Sequence, residues 1–403
     1  RPPALNRLVH AEKALQVRLS ECRDIDPPFP GAEISCMAID DVEDRYMLCG
    51  YADGAISITD VEDTPRGAHT KFETVVKIER AQGGAQAHSA DARGHHYGVT
   101  GVCWYPKDTG LFITGSFDKT VKVWDANSER VALGFDLEDH VYAVAVQSMA
   151  QTHSLLAVAC GDQRAILCDM STGGRKHTLL GHRGAVHVVQ WSTCEEYVLA
   201  TGGADGTVRV WDIRRTHTCR AILNQDGPPT LLQGSGAERK RQREEAGSAS
   251  GTVPQAHSGG VSSMLFSPHG RHLLSSGADG RMRSWHPNTC HLQIVNYGSF
   301  PQTSQSNYKR VQMAASWYSN LVYHPRKNDI MVCDIESGQR LWCLSAHMAT
   351  VYCCVGQPRT HSFFSGGRDS NILAWHPPMQ NAGDSDDEGD PEQDAWSDDD
   401  DFL

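Results

Sequence analysis

The sequence predicts an all-β fold, a propeller of seven blades, because a β-rich unit recurs along the chain. The units end at seven positions, and four of the six spacings between them lie between 42 and 48 residues. That period is expected of four-stranded propeller blades. The seven positions are Asp60, Asp125, Asp169, Asp212, His286, Asp334 and His376.

The four clearest units share a His, a Thr or Ser, an Asp and a Trp in the same order. An indole N–H, a hydroxyl, an imidazole and a carboxylate can form one hydrogen-bonded chain, which leaves none of them buried without a partner. We therefore interpret these tetrads as structural. A Ser–His–Asp hydrolase needs one distinguished nucleophile, whereas this set recurs. The tetrads are His95, Thr114, Asp118 and Trp124; His182, Thr201, Asp205 and Trp211; His257, Ser275, Asp279 and Trp285; His347, Ser365, Asp369 and Trp375.

Three weaker units, at residues 34–60, 141–169 and 317–334, complete the ring and lack the terminal Trp. The last unit supplies only three strands. Since such rings are usually closed by mixing the two chain ends, we expect residues 22–29 to provide its outer strand.

The two longest spacings contain insertions, at about 81–94 and 226–256. Both are rich in Gly, Ala, Ser and charged residues, which predicts mobile loops. The second contains the basic cluster RKRQR at 239–243, which is either a nuclear import signal or a solvated loop.

The composition indicates a soluble intracellular protein that uses no metal and no cofactor. No apolar stretch approaches the roughly 20 residues of a membrane span, and the 13 Cys lack the spacing of zinc ligands. The net charge is -12, but residues 384–403 contain eleven Asp or Glu and no Lys or Arg, so the remainder is close to neutral. A near-neutral body disfavours nucleic-acid binding by phosphate neutralisation. Residues 379–403 are predicted to be a disordered acidic tail.

Residues 1–20 predict an amphipathic helix ahead of the propeller, which we assign to 21–378. Leu5, Leu8, Leu15 and Leu19 mark one helical face, and the prolines before them are compatible with a first helical turn. The helix either folds back on the propeller or docks into a groove of a partner.

Two further features predict surfaces for protein contact. Trp211, Asp212 and Arg214 belong to the word WDIRR, in which Arg offers a rigid fork of hydrogen-bond donors. On the opposite face, the residue before each blade Asp is mostly small, but Phe117 and Arg368 are of types favoured at binding hot spots. Phe117 either grips a partner there or plugs the central channel.

The units resemble WD repeats, four strongly and three weakly, over residues 34–375, which implies a seven-bladed WD40 propeller. Over longer words the chain is similar to WD-repeat substrate receptors of cullin-4 RING ubiquitin ligases, of the Cockayne syndrome A type. The words, in matching order, are EDRYMLCGYADG, WYPKDTGLFITGSFDKTVKVWD, LATGGADGTVRVWDIRR, GRDSNILAW and QDAWSDDD.

This resemblance implies a non-catalytic nuclear subunit that acts in transcription-coupled nucleotide excision repair, while other subunits carry out the ubiquitin chemistry. Its implied partners are the ligase adaptor, which is the large subunit of the UV-damaged-DNA-binding complex, and through it cullin-4 and the RING subunit. The opposite face would recruit the Cockayne syndrome B ATPase and stalled RNA polymerase II. No membrane and no direct sequence-specific nucleic acid is implied. By position, adaptor contacts are assigned to Leu5, Leu8, Leu15, Trp211, Asp212 and Arg214.

Two alternatives predict different behaviour. A general WD40 scaffold of an RNA-processing or chromatin complex would not need the N-terminal helix. A hydrolase that uses one tetrad Ser or Thr would lose its activity on substitution of that single residue.

Overall fold

The computed structural model describes most of the repeat region, and both chain ends lie outside the described residues. The expected docking helix with Leu5, Leu8 and Leu15, the basic cluster 239–243 and the acidic tail 379–403 lie outside the described residues. Those residues are 18–19, 23–25, 27–62, 70–81, 93–214, 219–231, 254–300, 311–317, 319–358 and 362–376.

The described residues form strands and turns, and no helix occurs among them. In chain order the strands are β1 (Arg18–Leu19), β2 (Arg23–Ile25), β3 (Ile34–Ile39), β4 (Tyr46–Tyr51), β5 (Ile56–Asp60), β6 (Thr70–Phe72), β7 (Thr74–Ile78), β8 (Val99–Trp104), β9 (Leu111–Ser116), β10 (Thr120–Asp125), β11 (Arg130–Asp136), β12 (Val141–Val146), β13 (Leu155–Cys160), β14 (Arg164–Asp169), β15 (Gly174–Leu180), β16 (Val186–Trp191), β17 (Val198–Gly203), β18 (Val208–Asp212), β19 (Cys219–Ile222), β20 (Thr230–Leu231), β21 (Val261–Phe266), β22 (Leu273–Gly277), β23 (Met282–Trp285), β24 (Leu292–Gln293), β25 (Ala314–Ala315), β26 (Leu321–Arg326), β27 (Asp329–Asp334), β28 (Arg340–Ser345), β29 (Val351–Gly356), β30 (Phe363–Gly367) and β31 (Ile372–His376).

Apart from β2 and β6, these strands form seven antiparallel sheets, so the predicted seven-bladed all-β propeller is confirmed. Blade 1 is β3-β4-β5-β7, blade 2 is β8 to β11, blade 3 is β12 to β15, blade 4 is β16 to β20, blade 5 is β21 to β24, blade 6 is β25 to β28, and blade 7 is β29-β30-β31 with β1 outermost. The first strand of each blade lies at the centre of the ring. We call the face that carries the turns after first and third strands the bottom, and the other face the top.

The apolar cores lie between neighbouring blades, as buried sheet faces require. Leu155 and Leu167 of blade 3, for example, pack in one cluster with Val189, Leu199 and Trp211 of blade 4. Each blade therefore depends on the next for its burial, and the ring needs a closing strand.

That closing strand is β1, and the expectation that residues 22–29 would supply it is wrong. Arg18 pairs with His376 and Leu19 with Trp375, so Leu19 belongs to a strand and not to the predicted helix. β2 instead pairs in parallel with β6, a segment of blade 1 that the repeat pattern does not reveal. The reason is burial: Ile25 of β2 packs with Phe72 of β6 over the seam between blades 7 and 1.

Some predicted boundaries also move. The third strand of blade 5 ends at Trp285, one residue before the expected His286. The insertion expected at 226–256 begins too early, because Thr230–Leu231 pairs with β19 as a fifth strand of blade 4. Pairing with β19 satisfies backbone hydrogen-bonding groups of Thr230–Leu231, although the composition of the segment predicts a loop.

Candidate functional site

The four tetrads each form one continuous hydrogen-bonded chain inside a blade. In blade 2, Trp124 Nε1 donates to Thr114 Oγ1 over 2.8 Å, Thr114 Oγ1 lies 2.6 Å from His95 Nε2, and His95 Nδ1 lies 2.8 Å from Asp118 Oδ2. The same three contacts are 2.8, 2.8 and 3.2 Å in blade 4, 2.8, 2.8 and 3.0 Å in blade 5, and 2.7, 2.7 and 2.8 Å in blade 7.

The proton positions in these chains follow from the chemistry of the groups. The indole can only donate, so the hydroxyl is free to donate to Nε2, and Nδ1–H then donates to the carboxylate. Burial lowers the pKa of His95, His182 and His257 below the usual histidine range, which favours this neutral form. Burial alone would raise the pKa of their carboxylate partners, but hydrogen bonds from the imidazoles lower it: this holds for Asp118, Asp205 and Asp279.

The tetrads have no geometry suited to turnover. The hydroxyls of Thr114, Thr201, Ser275 and Ser365 are fully buried and each is held between an indole and an imidazole. A substrate cannot reach them without opening the blade, so the arrangement stabilises sheets. Within the described part of the chain, no group of three or more His, Cys, Asp or Glu is placed to hold a metal ion.

The bottom face presents Arg214 in a fixed orientation. Its Nε and Nη2 donate to the two carboxylate oxygens of Asp212 over 2.9 and 2.7 Å, while Asp212 is buried at the end of β18. The guanidinium also lies 5.1 Å from the ring centroid of Tyr197. With 59% of its side chain exposed, Arg214 is held by two partners and remains open to a third.

Sequence reasoning missed the neighbours that support Arg214. Tyr197 accepts or donates a hydrogen bond with Thr152 of blade 3 over 2.7 Å, and the His153 ring lies 5.6 Å from the Tyr197 ring. Glu196 accepts three hydrogen bonds from the same blade 3 turn, two of them from the backbone N–H groups of residues 151 and 152. These residues lie in turns between first and second strands, which have no repeat signature that would have marked them.

Arg18, the first described residue, lies on this same face. β31 ends at the bottom, and the backbone of Arg18 pairs with its last residue, His376, at the bottom of blade 7. Trp211, by contrast, is almost completely buried and is a core residue of blade 4. Of the three described residues to which adaptor contacts were assigned, Trp211 and Asp212 are buried and Arg214 is exposed.

On the top face, Phe117 and Arg368 lie on blades 2 and 7, with blade 1 between them. Phe117 packs edge to face on Tyr142, with ring centroids 5.4 Å apart, and 37% of it is exposed. Arg368 Nε lies 3.2 Å from Glu33 Oε1 of blade 1. Both side chains face solvent on the top face, but blade 1 lies between them, so they belong to two separate surfaces.

Gln312 is among the described residues that line the central channel, whereas Phe117 is not. Gln312 N and O pair with blade 7, and its side-chain amide bonds both the N–H and the carbonyl of Met37 in blade 1, over 3.2 and 2.6 Å. A cavity of about 310 Å³ remains in the channel between the inner strands of the blades.

Comparisons with known proteins agree with this architecture. The family model of the WD domain, G-beta repeat, matches residues 89–125, 173–212, 248–286 and 338–376. The WD repeat-containing protein ATCSA-1 of Arabidopsis thaliana is 31% identical over 415 residues, which cover 91% of this chain and 90% of that protein. The chain belongs to the WD-repeat family.

Other WD-repeat relatives match shorter parts of it. Radiation-sensitive protein 28 of Saccharomyces cerevisiae is 26% identical over 253 residues, which cover 61% of this chain and 48% of that protein. The ribosome biogenesis protein WDR12 homolog of Drosophila persimilis is 26% identical over 190 residues, 43% of this chain and 44% of its own length. WD-repeat propellers are typically non-catalytic scaffolds for protein contact. No helix among the described residues is long and apolar enough to cross a membrane.

Proposed function

We propose that this WD-repeat protein is the substrate-recognition subunit of a cullin-4 RING ubiquitin ligase that acts in transcription-coupled nucleotide excision repair in the nucleus. The observation that carries the proposal is the relation to ATCSA-1, which extends over 91% of the chain and therefore over all seven blades. A relative that matches a shorter part of the chain is named for radiation sensitivity, which fits a role in DNA repair.

The bottom face supports a docking role for the ligase adaptor. Arg214 is exposed and preoriented by Asp212 and Tyr197, so little side-chain entropy is lost when it binds. Arg18, the first described residue, lies on the same face at blade 7. A helix over residues 5–15, near blade 7, and Arg214, in blade 4, would then contact one partner at two separate points of the bottom face.

A pull-down with the purified adaptor tests this assignment. Deletion of residues 1–17 keeps Arg18 and Leu19, which close the ring, and we expect it to abolish capture of the adaptor. Arg214→Glu is expected to weaken capture at least tenfold, since a reversed charge is placed against the partner. Arg130→Glu, an exposed Arg on the bottom end of blade 2, is the matched control. Capture that survives both changes contradicts the proposal.

The top face is assigned to recruitment of the Cockayne syndrome B ATPase and stalled RNA polymerase II. Phe117→Ala and Arg368→Glu remove an exposed aromatic ring and reverse an exposed charge. We expect both changes to reduce recruitment of the ATPase and to leave adaptor binding intact. Unchanged recruitment would overturn the assignment of these two residues.

A general WD40 scaffold is the second candidate function. A relative named as a ribosome biogenesis protein favours it, although that match covers 43% of the chain. This function predicts that deletion of residues 1–17 leaves the partners of the protein unchanged, so the same pull-down separates the two candidates.

A further inference from the structure

The central channel holds a cavity of about 310 Å³, which is at the lower end of the roughly 300–1,000 Å³ typical of ligand pockets. Its lining extends from Met37 and Gln312 to the turns at the bottom of the blades, where Pro106 and Pro268 lie. At one level of this wall, six of the seven blades place an apolar residue, and blade 4 places Gln190. The six are Ala38, Cys103, Ala145, Leu265, Ala315 and Val355.

One carboxylate lies at the bottom rim of this cavity. Asp41 is exposed to solvent, and it is the only charged side chain among the described residues that line the cavity. Asp41 has no hydrogen bond and no basic partner in the described part of the chain, and Arg45 of the same turn is paired with Asp60 and Glu62. The surrounding protein desolvates Asp41 and the Asp40 carboxylate repels its charge, which raises the pKa of Asp41 to about 6. The rim therefore carries a negative charge that nothing described there balances.

Apolar side chains are exposed around the same opening. Trp317 of blade 6 lines the cavity and is 42% exposed. Val42 of blade 1 and Met149 of blade 3 lie in the corresponding bottom turns, after the first strands of their blades, and are 44% and 54% exposed. Exposed apolar side chains next to a concave site are typical of surfaces that contact a partner.

We propose that the bottom mouth of the channel binds a segment of a partner protein in which a large apolar side chain lies next to a Lys or Arg. The apolar side chain enters the cavity, and the basic one stays at the rim and pairs with Asp41. This order follows from the geometry, because the apolar wall lies inside and the carboxylate lies at the opening. Charge disfavours the chain's own acidic segment 384–403 as the occupant, since Asp41 would repel it. The inference concerns the chemistry of the mouth and does not require that the partner is the ligase adaptor.

The test uses the full chain and sensor surfaces coated at high density with the peptide Gly-Ser-X-Z-Ser-Gly, where X is Phe or Ala and Z is Lys or Gln. We expect the Phe-Lys peptide to retain roughly tenfold more protein than Ala-Lys, because the ring is buried. It should retain about threefold more than Phe-Gln, because the ion pair lies at an exposed rim. The acidic segment 384–403 attracts every Lys peptide, and the comparison of Ala-Lys with Ala-Gln measures that attraction.

Two variants separate the parts of the site. Asp41→Asn, at an exposed position, should reduce the Lys preference of the Phe peptides to that of the Ala peptides. Ala38→Leu fills the cavity and should remove the preference for Phe over Ala, with urea unfolding to show that this variant is folded. Glu336→Gln is the matched control, since it deletes an exposed carboxylate from the bottom of blade 6 outside the cavity, and it should keep both preferences.

Three results would overturn the inference. Equal retention by the Phe-Lys and Ala-Lys peptides would indicate general charge attraction, and an equal loss in Asp41→Asn and Glu336→Gln would exclude Asp41 from the site. A gain in retention after deletion of residues 1–17 would assign the mouth to the chain's own amino-terminal segment. The peptide surfaces contain no adaptor, so this inference and the ligase role, which the adaptor pull-down tests, can fail separately.

Discussion

Blades 2, 4, 5 and 7 each contain a complete tetrad, whereas blades 1, 3 and 6 are held together by other contacts. Blade 3 places Val158 and Cys168 where the tetrads have Thr and Trp, and both are completely buried in an apolar cluster. Blade 6 relies on a neighbour: His324 Nε2 bonds Ser276 Oγ of blade 5 over 2.9 Å. The comparison shows that the hydrogen-bonded tetrad is one of several ways to stabilise a blade, and that the fold tolerates the absence of a tetrad.

The largest expected difference between the two kinds of blade concerns the tetrad indole. Trp124 is fully buried and stacks on Phe112 at an interplanar angle of 6°. We expect Trp124→Ala to lower the free energy of unfolding by about 3–5 kcal/mol, because it opens a cavity and leaves Thr114 without its donor. Cys168→Ala, at the same position in blade 3, should cost about 1 kcal/mol. Urea unfolding measures both, and similar losses would contradict the comparison.

A reciprocal exchange sharpens the comparison. Thr201→Val in blade 4 keeps the shape but leaves the Trp211 N–H and His182 Nε2 without a partner, which we expect to cost about 2–4 kcal/mol. Val158→Thr in blade 3 places a hydroxyl where no tetrad awaits it, which should also destabilise, by about 1–3 kcal/mol. A stabilising effect of Val158→Thr would contradict the apolar surroundings assigned to this position in blade 3.

A pH dependence distinguishes blade 6. Burial lowers the pKa of His324 from its usual value of 6.5 to about 4. Since the folded state resists protonation, this contribution to stability is present above pH 6.5 and decreases as the pH falls towards 4. Between pH 7 and pH 5 we expect wild type to lose about 2 kcal/mol more than His324→Gln does.

The measurement for His324 is urea unfolding at both pH values. Burial also lowers the pKa values of His95, His182 and His257, but their contributions are the same in both proteins and cancel in the difference. His291→Asn, with an exposed side chain, is the control and should behave like wild type. If His324→Gln and wild type lose the same free energy of unfolding between pH 7 and pH 5, blade 6 does not hold this histidine neutral.

The smallest effect is expected at a surface ion pair between blades. Arg368 and Glu33 join blades 7 and 1, but the Arg368 side chain is 59% exposed. Arg368→Ala should therefore change the free energy of unfolding by less than about 1 kcal/mol. A larger loss in thermal or urea unfolding would mean that this contact, and not the closing strand, controls the seam.

The repeating features of the molecule could be predicted from the sequence, and the single ones could not. The spacing of residues such as Asp125 and Asp212 identifies the blades because each blade must bury the same surfaces. The pairing of β2 with β6 and the reach of Gln312 occur once, so no period reveals them. In the candidate sites, Arg214 and Phe117 stood out by residue type, whereas Tyr197 matters through neighbours that only folding brings near.

The closing strand has a consequence for how the protein is made. Arg18 and Leu19 leave the ribosome first, yet their partners in β31 follow only after roughly 350 further residues. At a synthesis rate of about 5–20 residues per second, β1 remains without its partner strand for on the order of 20–70 s. Until β31 emerges, the nascent ring is an open arc with two exposed sheet edges, and its vulnerability to aggregation is greatest just before β31 pairs with β1.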